Sequence, residues 1–368
     1  MSRKRLVMNL QHFAASTTGR KPRTIFDLVT AGDITAYWEE NISNTIPYLG
    51  EELWPSQQKL GLKLEWIKGA SGLPIVLKPS AYDAVAQKRD RIGFEKLEAE
   101  MPFFKESMYI NEELRQQLNM VLETGNQAYI NTIVNNIFND EISLLDGARA
   151  QRERIRMMAL TTGYVSISAN GQSYDYDYGI PDNHKIDVTD NGGKPWSDPD
   201  ATIIDDIRDI LDTVENDTGI RPTRGIANRS LMKYLRKNNE IRQAINGSDS
   251  TAPVSDSKIK AYIMDELNLE IVVYSKKYKD EKGKETSYVE DDLLVLFPEG
   301  VLGTGWFGTT PEQSDLMSGN AANVSITDTG VAVTTSQKVD PVNVDTKVSM
   351  IYLPDFPTAD QIAIMNVA

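Results

Sequence analysis

The 368 residues carry 40% hydrophobic and 25% charged side chains, an ordinary globular balance with length enough for one large core or two smaller ones. The absence of cysteine excludes disulfides, thiolate metal ligands and cysteine nucleophiles, and the two histidines, His12 and His184, stand far apart in sequence. The net charge of −14 is uneven: Arg3, Lys4, Arg5, Arg20, Lys21 and Arg23 face no acid within residues 1–26, so the remainder carries −20 and repels duplex DNA wherever no basic patch intervenes.

In chain order, the basic start is followed by Leu6-Val7-Met8 and then Asn9, too short an apolar stretch for a secretory signal, so synthesis in the cytosol is expected. No apolar run reaches the roughly eighteen residues of a bilayer span. Residues 1–55 form an arm with one short helix, Asp33–Ser43, in which Asp33 is the expected N-cap. Pro55 then biases Trp54 toward extended backbone. Leu60, Leu62 and Leu64 alternate with Gly61, Lys63 and Glu65, predicting a strand, and Gly69-Ala70-Ser71-Gly72 supplies a turn. Residues 67–108 hold few apolar side chains among many charges. On pattern alone this is a solvated hairpin, marginal in isolation.

Glu112–Glu123 predicts a short helix. Ile130, Ile133, Val134, Ile137, Phe138, Ile142 and Leu145 then keep a helical period toward Met158, giving either one long helix over Asn126–Leu160 or two helices broken at Gly147. Gly163–Trp196 is strand-like and rich in turns. Ile203, Ile204, Ile207, Ile210, Leu211 and Val214 define an amphipathic helix stopped by Gly219. A strand at Gly225–Asn228 leads to a helix capped by Ser230, followed by a helix at Lys258–Leu267, a strand at Ile271–Tyr274, a charged hairpin at Ser275–Tyr288 and a buried strand at Leu293–Phe297. This alternation describes an α/β lobe. The chain returns to strands from Val339.

No catalytic constellation emerges. The acids from Asp198 to Asp217 occupy the face opposite the isoleucines, as a solvated helix face does, and those near its start complement the helix dipole. Tyr174-Asp175-Tyr176-Asp177-Tyr178-Gly179 lacks the spacing and closing glutamate of a calcium loop. The glycines from Gly300 to Gly308 carry neither a phosphate-loop lysine nor a dinucleotide fingerprint. No catalytic residue, cofactor or metal site is expected. A carboxylate-dependent soluble hydrolase stays as an alternative because acids are plentiful.

Several stretches together resemble the tailed-phage major capsid family typified by the phage lambda head protein. Leu53-Trp54-Pro55 is similar to the family's Leu-Phe-Pro element. Arg91-Ile92-Gly93-Phe94 through Met101-Pro102-Phe103-Phe104-Lys105 is similar to its Arg/Gly loop ending in aromatic and proline residues. Arg149–Leu160 resembles the end of its long helix, Pro222–Ile245 its strand–helix pair, and Ile271–Tyr274 with Tyr288–Pro298 and Gly303 its later strands.

The resemblance implies an α+β Hong Kong 97-type fold: an arm (1–55), an extended E-loop hairpin (56–110), a peripheral domain with a long spine helix (111–198), an axial domain (199–338) and C-terminal strands (339–368) returning to the peripheral domain. It also implies a non-enzymatic subunit that forms hexamers and pentamers of an icosahedral shell, assembled in the host bacterial cytoplasm. The implied partners are a scaffolding protein, a portal, a decoration protein in some relatives, and double-stranded DNA bound without sequence specificity, with no membrane involved. Inter-subunit contacts are expected at Trp54, Lys88, Arg89, Arg91, Phe94, Glu95, Phe103 and Phe104, and through the basic arm. An encapsulin-like compartment shares the fold and is the other alternative.

Overall fold

The computed structural model describes residues 30–42, 47–68, 95–110, 127–169, 171–247, 252–317, 324–339 and 342–368, with Glu112, Glu113, Gln116 and Met120 between them. The expected helix over Glu112–Glu123 therefore falls mostly outside the described residues.

Helix α1 (Ala31–Ile42) begins earlier than its pattern suggests. Thr30 caps it, and Asp33 answers from the third position: its carboxylate accepts from Thr30 N at 3.1 Å while Thr30 Oγ1 accepts from Asp33 N at 3.3 Å. After α2 (Leu49–Leu53) come β1 (Ser56–Gln58), β2 (Lys63–Lys68), β3 (Glu95–Glu100) and β4 (Phe103–Ile110). Leu60 and Leu62 precede β2 and are 77% and 48% exposed, whereas Leu64, inside the strand, is 1% exposed. The alternation thus extends further along the sequence than the strand does.

Helix α3 (Gln127–Thr162) runs without a break through Gly147 for 36 residues, about 54 Å at 1.5 Å per residue. One glycine costs only about 1 kcal/mol within a helix, too little to end one that is packed on both sides of it, at Leu144 and Leu145 and from Arg149 onward. It is followed by β5 (Tyr164–Ala169), β6 (Gln172–Asp177) and β7 (Lys185–Asp187). Then come α4 (Ile203–Thr218), closed by Gly219 at φ +76°, β8 (Arg224–Ala227), α5 (Arg229–Lys237), α6 (Asn239–Asn246), α7 (Asp256–Leu267) and β9 (Glu270–Val273). The cap of α5 is Asn228, whose side chain accepts from Arg229 N, and Ser230 lies within the helix. The remaining elements are β10 (Lys277–Lys279), β11 (Glu285–Ser287), β12 (Leu293–Phe297), β13 (Gly305–Phe307), α8 (Pro311–Met317), β14 (Val324–Thr327), β15 (Val331–Val339), β16 (Val342–Pro354) and β17 (Ala363–Asn366).

Two sheets organise these elements. In the first, β1, β13, β16, β15 and β14 follow one another and β4 pairs with β16; in the second the order is β7-β17-β12-β8-β9. The hairpins β2–β3, β5–β6 and β10–β11 stand as two-stranded pairs. Alternate residues of the second sheet serve different cores, as a period of two requires. Ile226, Val295 and Ile364 join α3 and the first sheet, while Ala227, Leu294, Leu296 and Met365 pack under α4, α5, α6 and α7.

Strand pairing links the ranges of the expected division in two places. The β15–β16 hairpin crosses the line drawn at residue 338, because Ala332 to Lys338 pair with Ser349 to Asn343. The last strand, β17, pairs with β7, inside the expected peripheral range, and with β12, inside the expected axial range. Strand partners are chosen by side-chain faces that meet across the fold, which the local pattern of Ile362, Ile364 and Val367 does not specify.

Candidate assembly surfaces and a buried charge cluster

The residues expected to touch neighbouring subunits separate into three groups. Lys88, Arg89, Arg91 and Phe94 lie outside the described residues, as do Arg3, Lys4, Arg5, Arg20, Lys21 and Arg23. Glu95 opens β3, opposite Lys68 in β2. Phe103 is 38% exposed with Lys105 Nζ 5.8 Å from its ring centre, and Phe104 is half-buried against the first core.

Trp54 corrects the expectation. Its side chain is 0% exposed, its indole N–H donates to Asp355 O at 2.8 Å, and its ring meets Phe356 edge-on at 5.2 Å. A side chain with no free surface in its own subunit has none to offer another. It pins the arm to the turn after β16.

The base of the E-loop hairpin is the more open surface. Leu60, Leu62 and Phe103 are large, apolar and exposed on the segments flanking β2 and β3, and Met108 and Tyr109 are exposed further along β4. Leu62 O accepts from Met101 N at 2.8 Å, which holds the two segments side by side, and the Tyr176 hydroxyl of β6 supports the hairpin from below by donating to Glu100 O.

Beneath this base the last turns of α3 carry a buried polar cluster that the sequence pattern had not singled out. Arg149, Arg152 and Arg156 follow Leu145 at helical spacing on its buried face. Arg149 grips Glu51 of α2 with two hydrogen bonds, 2.7 and 2.8 Å long, and lies over the Tyr48 ring. Burial opposes ionisation of Glu51, but the hydrogen bonds and charge of Arg149, aided by the Tyr48 N–H and the more distant Arg156, outweigh it and hold the carboxyl below its ordinary range. Arg152 pairs with Asp328 in the β14–β15 turn. Arg156 donates to Tyr352 Oη at 2.6 Å and to Trp54 O and Ser56 Oγ at 3.2 Å.

Glu153 is the cluster's constrained member. One oxygen accepts from Tyr274 Oη at 2.6 Å and Gly50 N at 3.2 Å, while the other has no hydrogen bond and sits 4.0 Å from Arg156 Nη1. A β-carbon at Gly50 would stand 2.4 Å from that second oxygen and 2.7 Å from Arg156 Cδ, so only glycine lets α2 approach α3 this closely. Burial pushes the Glu153 carboxyl above its ordinary value, against the opposing effects of Tyr274, Arg156 and Gly50. The folded chain thus holds this proton more tightly than the unfolded one. Ionisation costs stability as pH rises from the ordinary glutamate range through the raised value, and the cost vanishes below that range. Glu153→Gln should remove this slope. Urea midpoints of variant and parent should draw apart in the variant's favour as pH rises above 4.5 and then run parallel. Midpoints that stay parallel throughout would mean that Glu153 does not titrate in this window.

A cleft of about 710 Å³ beside the cluster is lined by Tyr48, Glu51, Glu52, Tyr274 and Lys276 among others. Glu51 is held by Arg149 and Glu52 by Arg224 at 3.0 Å, so neither is placed as a free acid or base. Among the described residues no group of three acids or histidines is placed to hold a metal ion, and no helix is long and apolar enough to cross a membrane.

The mixed helix and sheet architecture, with its long helix, is that of the Hong Kong 97-type capsid fold. The family model described as phage major capsid protein E matches residues 30–367, and the chain belongs to that family. A putative capsid protein of an Escherichia coli CFT073 prophage is similar in structure, with a TM-score of 0.57 at 18% identity over 92% of this chain and 99% of that one. A phage-related protein from Bordetella bronchiseptica RB50 gives 0.55 at 11% identity over 92% and 98%. The cyanophage A-1(L) capsid gives 0.49 at 12% identity over 87% and 91%. No curated protein matches. The chain is therefore a phage major capsid protein, a structural component of the virion shell built from many copies, and this reading prevails over the compartment and hydrolase alternatives.

Proposed function

We propose that the subunits form hexamers and pentamers of an icosahedral shell that encloses double-stranded DNA without reading its sequence, and that the E-loop clasps a neighbouring subunit. The observation that carries this reading is the hairpin base. A two-stranded excursion whose root is packed through Leu64 and Met101 but leaves Leu60, Leu62 and Phe103 exposed has apolar surface that its own subunit does not cover and another could. Lys88, Arg89, Arg91, Phe94 and Glu95 are the proposed contacts further along it. The body's acidity suits a container that must hold DNA without adhering to it, and the basic arm suits an acidic scaffold or the packaged DNA. Assembly in the host bacterial cytoplasm, with a scaffolding protein and portal and with a decoration protein as a further candidate partner, belongs to the same reading. The peripheral and axial divisions are supported by the two cores, with β13 to β16 counted in the first and β17 contributing Ile364 to the first and Ala363 and Met365 to the second.

Expression of the chain with its scaffold, followed by size-exclusion chromatography and negative-stain microscopy, should yield closed particles of uniform diameter. A persistent monomer under those conditions would overturn the assignment of shell-forming capacity to this chain.

A further inference from the structure

Helix α5 presents an unopposed basic face. Its nine residues include Arg229, Lys233, Arg236 and Lys237 and no acid, within a chain of net charge −14. Arg236 meets Asp256 at 3.3 Å. Arg229, Lys233 and Lys237 are exposed and meet no carboxylate among the described residues. They recur every fourth residue, so they form one stripe with about 6 Å between successive positions. Leu231, Met232 and Leu235 are buried on the other side and turn the stripe outward.

Helix α4 is its electrostatic complement. Its sixteen residues include six carboxylates and one arginine, and Ile203, Ile207, Ile210 and Val214 bury the opposite face. Asp205 is bridged by Arg208 at 2.6 Å, and Asp212 and Glu215 by Arg221 at 2.5 and 2.6 Å. Asp209, exposed at the centre of this face, has no cationic partner among the described residues.

The helix dipole accounts for Asp205 and Asp206 in the first turn of α4 and for Arg236 and Lys237 in the last turn of α5, but not for the rest of either pattern. Arg229 opens α5 and Glu215 lies in the last turn of α4, each at the end of its helix where the dipole disfavours its charge. Nor do the two faces satisfy each other within one subunit. Helix α4 packs on β17 and the turns beside it, whereas α5 leaves the end of β8 and packs on α6 and α7.

We propose that the α5 stripe of one subunit docks on the α4 acidic face of the next, head to tail around the capsomer ring. Such a contact uses a different patch on each side, the arrangement that closes rings. A second copy fits better than nucleic acid because Asp209, which has no cationic partner among the described residues, sits on a face where Asp205, Asp209, Asp212 and Glu215 outnumber the bridging Arg208 and Arg221. The acids of that face step by nearly the same one-turn repeat as the cations on α5. Exposed pairs contribute little singly, about 0.2–1 kcal/mol, so the contact sets register and encounter rate, and repeats around every ring. The inference rests on the shell-subunit reading.

Lys233→Glu and Asp209→Lys test it directly, since both side chains are exposed and outside the two cores. Each alone places like charges across every ring contact and should lower the yield of closed particles about tenfold, with unchanged circular dichroism. Together they restore complementarity, and the yield should return to about the parent's, with the same sensitivity to salt. Normal assembly of either single variant, or a double variant no better than the singles, would overturn the contact. So would a Lys233→Glu shell that forms normally but retains less DNA, which would assign the stripe to phosphates. A parent chain that forms no particles would instead bring down the shell reading, and this contact with it.

Discussion

Replacing residues 69–94 with an Asn-Gly turn should leave a folded subunit that no longer forms closed shells. The substitution is possible because Lys68 and Glu95 lie directly opposite each other across β2 and β3. Their strands already stand in the antiparallel register that a two-residue turn closes. No described core residue is lost: Leu64, Met101 and Phe104 all remain. Shortening the connection lowers its closure entropy, so the urea midpoint of the unassembled subunit should match or exceed the parent's. Removing residues 80–105 would be a poorer experiment. It would delete Met101, which is 3% exposed, and the start of β4, where Phe103 and Phe104 pair with Ile351 and Met350 of β16. Failure to assemble would then report a damaged first sheet. With the Asn-Gly closure, circular dichroism shows whether the fold survives and microscopy shows whether the shell does. Normal shells from a folded variant would remove the clasp from the account of assembly.

Sequence pattern carried the local elements well where burial is one-sided and continuous. Ile203 to Val214 announce α4 because an isolated amphipathic helix on a sheet must hide one stripe, and the stripe is visible at its own period. Strands β9 and β12 are short apolar runs between polar turns, and β12 at the centre of its sheet is buried on both faces. The harder features depend on contacts between distant parts of the chain. Trp54 looks extended and available beside Pro55, but its partners Asp355 and Phe356 lie about three hundred positions away. Arg149, Arg152, Glu153 and Arg156 look like a solvated helix end because charge usually means exposure. A signal was present in their spacing, since the arginines continue the period of Leu145, an apolar residue of the buried face. The assembly surface is legible only in part for a different reason: an exposed leucine such as Leu60 has the same local signature as a buried one until its subunit is folded.

Arg156→Met should be among the most damaging single substitutions in the subunit, costing about 3–5 kcal/mol of stability. The guanidinium is 1% exposed and serves three acceptors, Tyr352 Oη, Trp54 O and Ser56 Oγ, while lying 4.0 Å from the second oxygen of Glu153. Methionine fills part of the volume but donates nothing. The Trp54 carbonyl loses its guanidinium donor, and Glu153, 0% exposed, becomes a buried carboxylate without its nearest cation. Glu153 has one route of escape, because its carboxyl already holds a proton more tightly than usual. The loss should therefore shrink as pH falls toward the ordinary glutamate range, where the buried acid is neutral in both folded and unfolded chains. The pair Arg156→Met with Glu153→Gln should accordingly recover part of the single variant's deficit at neutral pH, a non-additivity that marks the two side chains as one unit. Arg149→Met is the internal control. Its partner Glu51 keeps 28% of its side-chain surface in solvent and can be rehydrated, so that loss should be clearly smaller. Equal losses for Arg149→Met and Arg156→Met, or strict additivity in the Arg156–Glu153 cycle, would show that desolvation does not govern the cluster. The ordering matters for assembly because Arg156 joins α3 to Trp54 at the end of the arm, Ser56 at the root of the E-loop and Tyr352 in the first sheet. In the proposed assembly, a subunit that loosens there would lose the tie between α3 and the segment leading into the clasp.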